Sequence, residues 1–161
     1  MTDPELRYQT ILTKLQERGD RLTSHRLALI RLIAASDGHP NATQLFERLR
    51  LQFPTVSLAT VYKTLTLLKE QGEVLEIDLR SDSRYDGNKP YPHPHLFCDR
   101  CNRIFDGDEM SLIQDGYREI KDKYGFQILR YQLIFYGVCQ DCQEKPYEHC
   151  FAEMRSERRS I

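Results

Sequence analysis

A chain of 161 residues suffices for one domain or two small ones, and 40% hydrophobic residues with no tryptophan is an ordinary globular composition. No apolar run approaches the ~20 residues that cross a bilayer, and Met1-Thr2-Asp3-Pro4 is not a signal peptide, so a cytoplasmic protein with no membrane part is expected. The net charge of −1 hides an asymmetry, +3 over residues 1–72 and −4 over residues 73–161; the basic first half permits an anionic partner such as DNA without requiring one.

Thr2-Asp3-Pro4 opens a helix, a capping side chain followed by proline in the first turn. Leu6, Ile11, Leu12 and Leu15 form its apolar stripe, and Gly19 ends it. Thr23 caps a second helix with Leu27, Ile30, Leu32 and Ile33 inward, and Asp37-Gly38-His39-Pro40 is a turn. Asn41 caps a third, carrying Leu45, Phe46 and Leu49 and stopping before Pro54. Ser57 caps a fourth from Leu58 to about Gln71, closed by Gly72, with Val61, Leu65 and Leu68 inward. Val74 to Leu79 then alternates with period two, as a half-buried strand does, and Ser81-Asp82-Ser83 turns it back into Arg84-Tyr85-Asp86. Helices followed by a hairpin describe a winged helix-turn-helix, whose fourth helix enters the major groove while the hairpin lies along the backbone.

Residues 87–92, with two prolines and a glycine, read as a hinge, which divides a winged-helix DNA-binding domain (1–86) from a second domain (93–142) and a charged tail (143–161). The second domain is a small α/β unit, so the fold class is α+β. It has a strand at His93–Cys98, a short strand at Arg103–Phe105, an amphipathic helix from about Glu109 to Tyr124, and a long strand over Phe126–Tyr136. Three strands and one helix cannot cover both faces of a sheet, so pairing with a second copy is expected, and a homodimer suits a reader of two DNA half-sites.

Four of the five cysteines stand in two C-x-x-C pairs, Cys98/Cys101 and Cys139/Cys142, with 37 residues between them. Soft thiolates in that spacing point to one tetrahedral zinc per subunit, holding one strand end to another. A dithiol switch is the rival, but it needs one pair, usually opening a helix, and here both pairs read as strand-end turns. Five cysteines, four in metal spacing, also suit a reducing cytosol better than a disulfide scaffold.

His39, Asp86, His93, His95 and Asp106 remain. Imidazoles and carboxylates suit a borderline-to-hard divalent ion, Fe(II) or Mn(II). His93-x-His95 puts two side chains on one strand face, whereas spacing alone leaves His39, Asp86 and Asp106 open as ordinary turn and loop residues. His25 and His149 read as surface or capping residues and Cys150 as a spare thiol.

These residues fall into an order that resembles the ferric uptake regulator family over about residues 5–142. Arg21-Leu22-Thr23-x-x-Arg26 is similar to that family's R-x-T-x-x-R, and His39-Pro40-x-Ala42 to its entry into the third helix. Ser57 to Leu65 (SLATVYKTL) resembles its recognition helix, S-x-x-T-V-Y-R-x-L. His93-x-His95-x-x-Cys98-x-x-Cys101 and Tyr136-Gly137-x-Cys139-x-x-Cys142 complete the set. The resemblance implies that His39, Asp86, His93, His95 and Asp106 hold one regulatory Fe(II) or Mn(II) per subunit. Aspartate at both 86 and 106 resembles the peroxide-sensing branch, where metal-uptake repressors usually have Glu at the second position. In those sensors the histidines matching His39 and His93 are oxidised to 2-oxo-histidine, the metal is lost and DNA is released. Lys63 stands where uptake repressors usually have Arg and sensors commonly Asn, and Tyr131 where many members have a histidine of an accessory site.

The resemblance thus implies a repressor rather than an enzyme, bound to an AT-rich pseudo-palindromic double-stranded operator. Arg21, Arg26 and Lys63 are candidates for phosphate contact, Tyr62 for backbone or a thymine methyl, and Ser57 and Thr60 complete the DNA-facing set. The alternatives are an uptake repressor sensing Fe(II) or Mn(II) by occupancy alone, a non-haem iron enzyme, and a zinc-stabilised interaction module with no DNA role.

Overall fold

A computed structural model describes residues 3–79, 82–108 and 111–144. They fall into two units that divide between Tyr91 and Pro92. No helix among them is long and apolar enough to cross a membrane. The expected helix start at Glu109 and Met110, the turn residue Ser81, and His149, Cys150 and the rest of the tail beyond residue 144 lie outside the described residues.

In the first unit, α1 (Pro4–Glu17) begins where the Asp3 carboxylate accepts the Glu5 N–H. α2 (Ser24–Ala34) starts at Thr23, whose side chain accepts from the Arg26 N–H. α3 (Ala42–Gln52) carries a reciprocal cap, the Asn41 side chain on the Gln44 N–H and the Gln44 side chain on the Asn41 N–H. α4 (Leu58–Glu70) is capped by Ser57. Strands β1 (Leu75–Asp78) and β2 (Ser83–Asp86) pair antiparallel, with Leu75 opposite Asp86. Ile11, Ile33, Leu45, Val61 and Leu68 are among the side chains of one apolar core, so this is a winged helix-turn-helix held by hydrophobic burial.

Two inward faces differ from the sequence reading. Leu6 is 61% exposed, and Tyr8, Ile11 and Leu15 make the buried stripe of α1; Leu6 sits five residues before Ile11, off the 3.6-residue period. On α2, Leu29 and Ala34 are buried with Ile30 and Ile33, while Leu27 and Leu32 are half-buried.

A buried ionic cluster sits beside this core. The Glu73 carboxylate receives Arg7 at 2.8 Å and Lys14 at 2.6 Å. Arg7 also donates to the Glu73 carbonyl and to the Gly87 carbonyl, each at 2.6 Å. Gly87 has no room for a side chain, since a Cβ there would lie 2.9 Å from the Ile33 carbonyl oxygen. α1 is thereby tied to both ends of the wing.

The second unit holds β3 (Pro94–Cys98), β4 (Ile104–Asp106), α5 (Ser111–Tyr124), β5 (Leu133–Gly137) and α6 (Gln140–Glu144). The sheet order is β4-β3-β5, antiparallel on one side of β3 and parallel on the other, so α5 lies in the crossover that a parallel pair requires. Gly125, at φ 58°, ends α5 in the left-handed conformation. The long strand expected over Phe126–Tyr136 is confined to Leu133–Gly137. Its ladder begins at Pro94 opposite Leu133, and among the described residues no strand lies beside those before Leu133 on which to extend. The second cysteine pair also differs from the expected strand-end turn, because Cys142 lies in α6.

Candidate metal centres and nucleic-acid interface

The buried cluster of the second unit is made of sulfur. Cys98, at the end of β3, Cys101, in the turn that follows, and Cys142, in α6, are each 2% exposed or less, and Cys139 packs against them. Their Sγ atoms lie within 4.8 Å of one another, and Cys101 to Cys139 is 3.8 Å. Four sulfurs about 2.3 Å from one zinc ion sit about 3.8 Å apart along the edges of a tetrahedron, so the donors present fit that ion. Burial raises the Cys98 thiol pKa, but the backbone N–H groups of Cys139, Cys101 and Arg100 donate to its sulfur and bring it down to about 6. Burial pushes the Cys101 thiol up, against the Arg103 hydrogen bond. Sequence reasoning overlooked Arg103, which donates to the sulfurs of Cys101 and Cys139 and to the Asp141 carboxylate. A fixed cation two residues past a C-x-x-C pair was the signal available.

Within the first unit, a short antiparallel stitch brings His39 to Asp86. Asn41 bridges Arg84, and the Tyr85 N–H donates to the Pro40 carbonyl at 3.0 Å, so the same register sets His39 opposite Asp86. His39 Nε2 and Asp86 Oδ2 are 3.7 Å apart, both side chains buried. His39 has φ 49°, in the left-handed region, a conformation that costs a non-glycine residue energy and clusters at functional sites. The other Asp86 oxygen accepts from the Asn88 and Lys89 N–H groups at 2.8 and 3.0 Å. Burial raises the Asp86 pKa, yet the bonds from His39 and these two amides hold it below the usual carboxylate value.

Within the second unit, β3 and β4 pair His95 with Asp106. His93 Nε2 is 3.2 Å and His95 Nε2 4.0 Å from Asp106 Oδ1, and the two imidazole centroids are 4.2 Å apart. Both imidazoles are buried and the carboxylate is more open. Tyr131 packs on Tyr117 with ring centroids 5.3 Å apart and donates to the Pro92 carbonyl, a packing use of that position.

The candidate DNA contacts divide between structure and surface. Ser57 Oγ accepts the Thr60 N–H at 3.2 Å and meets Thr60 Oγ1 at 2.9 Å, so both residues build the start of α4. Tyr62 and Lys63 are exposed on the next turn. Arg26 donates to the Arg21 carbonyl just before α2, leaving the Arg21 side chain exposed.

A winged helix-turn-helix followed by a small α/β unit built on clustered thiolates defines a metal-responsive transcriptional regulator. Comparison with known proteins agrees. The model of the Ferric uptake regulator family matches residues 17–136, and the chain belongs to that family. The peroxide-responsive repressor PerR of Staphylococcus aureus (strain USA300) is 33% identical over 135 residues, 83% of this chain and 90% of that one. Among solved structures, a zinc uptake regulator complexed with zinc and DNA is 27% identical with a TM-score of 0.70, covering 89% of this chain and 97% of that one. The ferric uptake regulator from Francisella tularensis with iron is 26% identical with a TM-score of 0.67, covering 78% and 96%.

Proposed function

We propose that the protein is a peroxide-sensing transcriptional repressor of the cytoplasm, not an enzyme, that binds an AT-rich pseudo-palindromic operator as a homodimer. Residues 1–86 read DNA, 87–92 form the hinge, 93–142 bind zinc and dimerise, and 143–161 are a tail. Cys98, Cys101, Cys139 and Cys142 hold one structural Zn(II) per subunit. His39 and Asp86 from the first unit, with His93, His95 and Asp106 from the second, hold one regulatory Fe(II) or Mn(II) per subunit. Arg21, Arg26, Ser57, Thr60, Tyr62 and Lys63 form the DNA-facing set.

The observation that carries this reading is the pair of aspartates among the ligands. Asp86 is a buried carboxylate held below its usual pKa and set against His39, and Asp106 takes the same role toward His93 and His95. The 33% identity to a peroxide-responsive repressor points the same way. His39, Asp86, His93, His95 and Asp106 would hold the iron, which when bound would supply the electrons that reduce a peroxide beside their imidazoles. His39 and His93 are the side chains that take up oxygen, becoming 2-oxo-histidine, and in that form they bind metal poorly. Occupancy of ligands from both units couples metal binding to DNA binding, and that coupling is reciprocal.

Support for the homodimer comes from the second unit, where Leu96, Phe105 and Phe135, cross-strand neighbours on one face of the sheet, are at least 37% exposed in a single chain, an apolar face that a second copy would cover.

The test loads the protein with Fe(II) or with Mn(II), adds peroxide, and follows operator binding and the mass of the peptides containing His39 and His93. DNA release with gain of one oxygen atom on either peptide, in the iron form alone, supports the reading. Equal behaviour of the two forms supports the alternative, repression by metal occupancy alone, which draws on the likeness to the zinc and ferric uptake regulators. Oxidation confined to Cys98 and Cys101 favours a thiol switch instead.

A further inference from the structure

We propose that Arg103 is a positioning residue of the thiolate site, a cation that bridges one sulfur of each C-x-x-C pair and thereby slows the loss of zinc to peroxide. The inference rests on the zinc reading above.

Arg103 leaves the turn after Cys101 and reaches back over the cluster. Its Nε donates to Cys101 Sγ at 3.3 Å and its Nη2 to Cys139 Sγ at 3.6 Å. Nη2 also meets Asp141 Oδ2 at 2.5 Å, and the guanidinium carbon lies 5.4 Å from the centre of the Phe105 ring. Asp141 stands between Cys139 and Cys142 in sequence, so Arg103 is bound to both halves of the site, which have 37 residues between them. Four thiolates around a divalent ion leave an excess of negative charge on sulfur. A planar guanidinium satisfies two sulfurs and a carboxylate at once, which the point charge of a lysine cannot do.

The chemical consequence follows from what a thiolate does with peroxide. The sulfur attacks one peroxide oxygen, an S–O bond forms, the O–O bond breaks and hydroxide leaves. The sulfur ends as a sulfenic acid, a poor zinc ligand. A hydrogen bond from Arg103 draws electron density from the sulfur and lowers its nucleophilicity, and it covers Cys139, the least buried of the four. A repressor meant to lose one metal to peroxide must keep the other, and Arg103 supplies that difference from within the second unit.

The test compares the full-length zinc-loaded protein with Arg103→Met, Arg103→Lys and Asp141→Asn. Zinc release at fixed peroxide is read with a colorimetric chelator. Outer residues of metal sites typically change affinity by roughly 10- to 100-fold, and Arg103→Met is expected to release zinc at least ~10-fold faster, with Arg103→Lys in between. After replacement of zinc by cobalt, the thiolate-to-metal charge-transfer band moves to lower energy in Arg103→Met, a signature that loss of a surface ion pair does not produce. Asp141→Asn keeps the sulfur bonds and stays near wild type. Unchanged release and an unmoved band in Arg103→Met overturn the inference, as does an Asp141→Asn variant that loses zinc as fast as Arg103→Met. If Arg103→Met does not fold, Arg103→Lys decides, and release at the wild-type rate refutes the role. A wild-type protein that binds no zinc removes the zinc reading itself, a separate failure.

Discussion

Replacing Arg7 with methionine tests whether the fold depends on the cluster under the wing. The substitution removes three hydrogen bonds of 2.6–2.8 Å, to the Glu73 carboxylate, the Glu73 carbonyl and the Gly87 carbonyl. It leaves a carboxylate that is 1% exposed with Lys14 alone, whose own side chain is half in water. Breaking a buried pair by deleting one partner costs about 3–5 kcal/mol, a large share of the ~5–15 kcal/mol that stabilises a typical domain. The assay is urea unfolding followed by far-UV circular dichroism, where the midpoint falls and the slope stays the same. The double variant Arg7→Met/Glu73→Leu recovers most of the loss, because an apolar pair of similar volume needs no compensation. Because Gly87 directly follows Asp86, the single variant also weakens Mn(II) binding, and a double variant that regains stability without regaining metal affinity isolates the Gly87 bond. A cost below ~1 kcal/mol for the single variant, the range of solvated pairs, refutes the argument.

In saturating manganese, His39→Ala loses the metal-dependent gain in operator affinity, roughly 5–150-fold for allosteric coupling of ordinary size; operator binding equal to wild type in a mobility-shift titration refutes the shared-ion site. Cys142→Ser loses zinc and exposes the second unit to limited proteolysis while the helices of the first unit persist, read by metal analysis and fragment mass. Burial raises the Glu76 pKa, but bonds from Lys69, Ser83 and Tyr85 hold it below its usual value, so its contribution is present above the unfolded pKa and disappears as pH falls through the folded one. With Glu76 and Lys69 both partly in water, Glu76→Gln costs at most ~1 kcal/mol at neutral pH, and thermal melts of the variant and wild type converge in acid. Lys63→Ala lowers operator affinity and reduces the slope of log K against log salt by about 0.9, the share of one phosphate contact; an unchanged slope places Lys63 away from the backbone.

The sequence was most legible where chemistry is local. Thr23, Asn41 and Ser57 cap their helices as read, since a cap is a contact between residues two or three apart. The C-x-x-C pairs announced a thiolate cluster for the same reason, each pair being one short turn. What resisted reading was set by partners distant in the chain. The length of β5 depends on where β3 begins, and periodicity within Phe126–Tyr136 carries no record of Pro94. The meeting of His39 with Asp86 depends on a bridge between Asn41 and Arg84, across 43 positions, and no spacing rule contains it. Arg103 drew no reading as part of the site because one of its sulfur partners, Cys139, lies 36 positions further along the chain.

The two units answer differently to the question of what holds them together, and that difference bears on sensing. The first buries leucine, isoleucine and valine side chains in a continuous core, so its fold has a hydrophobic source of stability independent of any ion. His39 and Asp86 are attached to this core through the wing and the Pro40 stitch, so under the proposal above they would exchange a metal while the surrounding backbone keeps its shape. The buried cluster of the second unit is cysteine, and buried thiols contribute little unless they are deprotonated around a cation, where ligand binding becomes folding energy. A signal that must be released belongs on a scaffold that survives the release, and an ion that must stay belongs where leaving unfolds its own site. Of the five hard ligands proposed above, His39 and Asp86 stand on that first scaffold while His93, His95 and Asp106 share the second unit with the cysteines, so in this reading the soft site must hold the second unit in shape when the regulatory ion leaves.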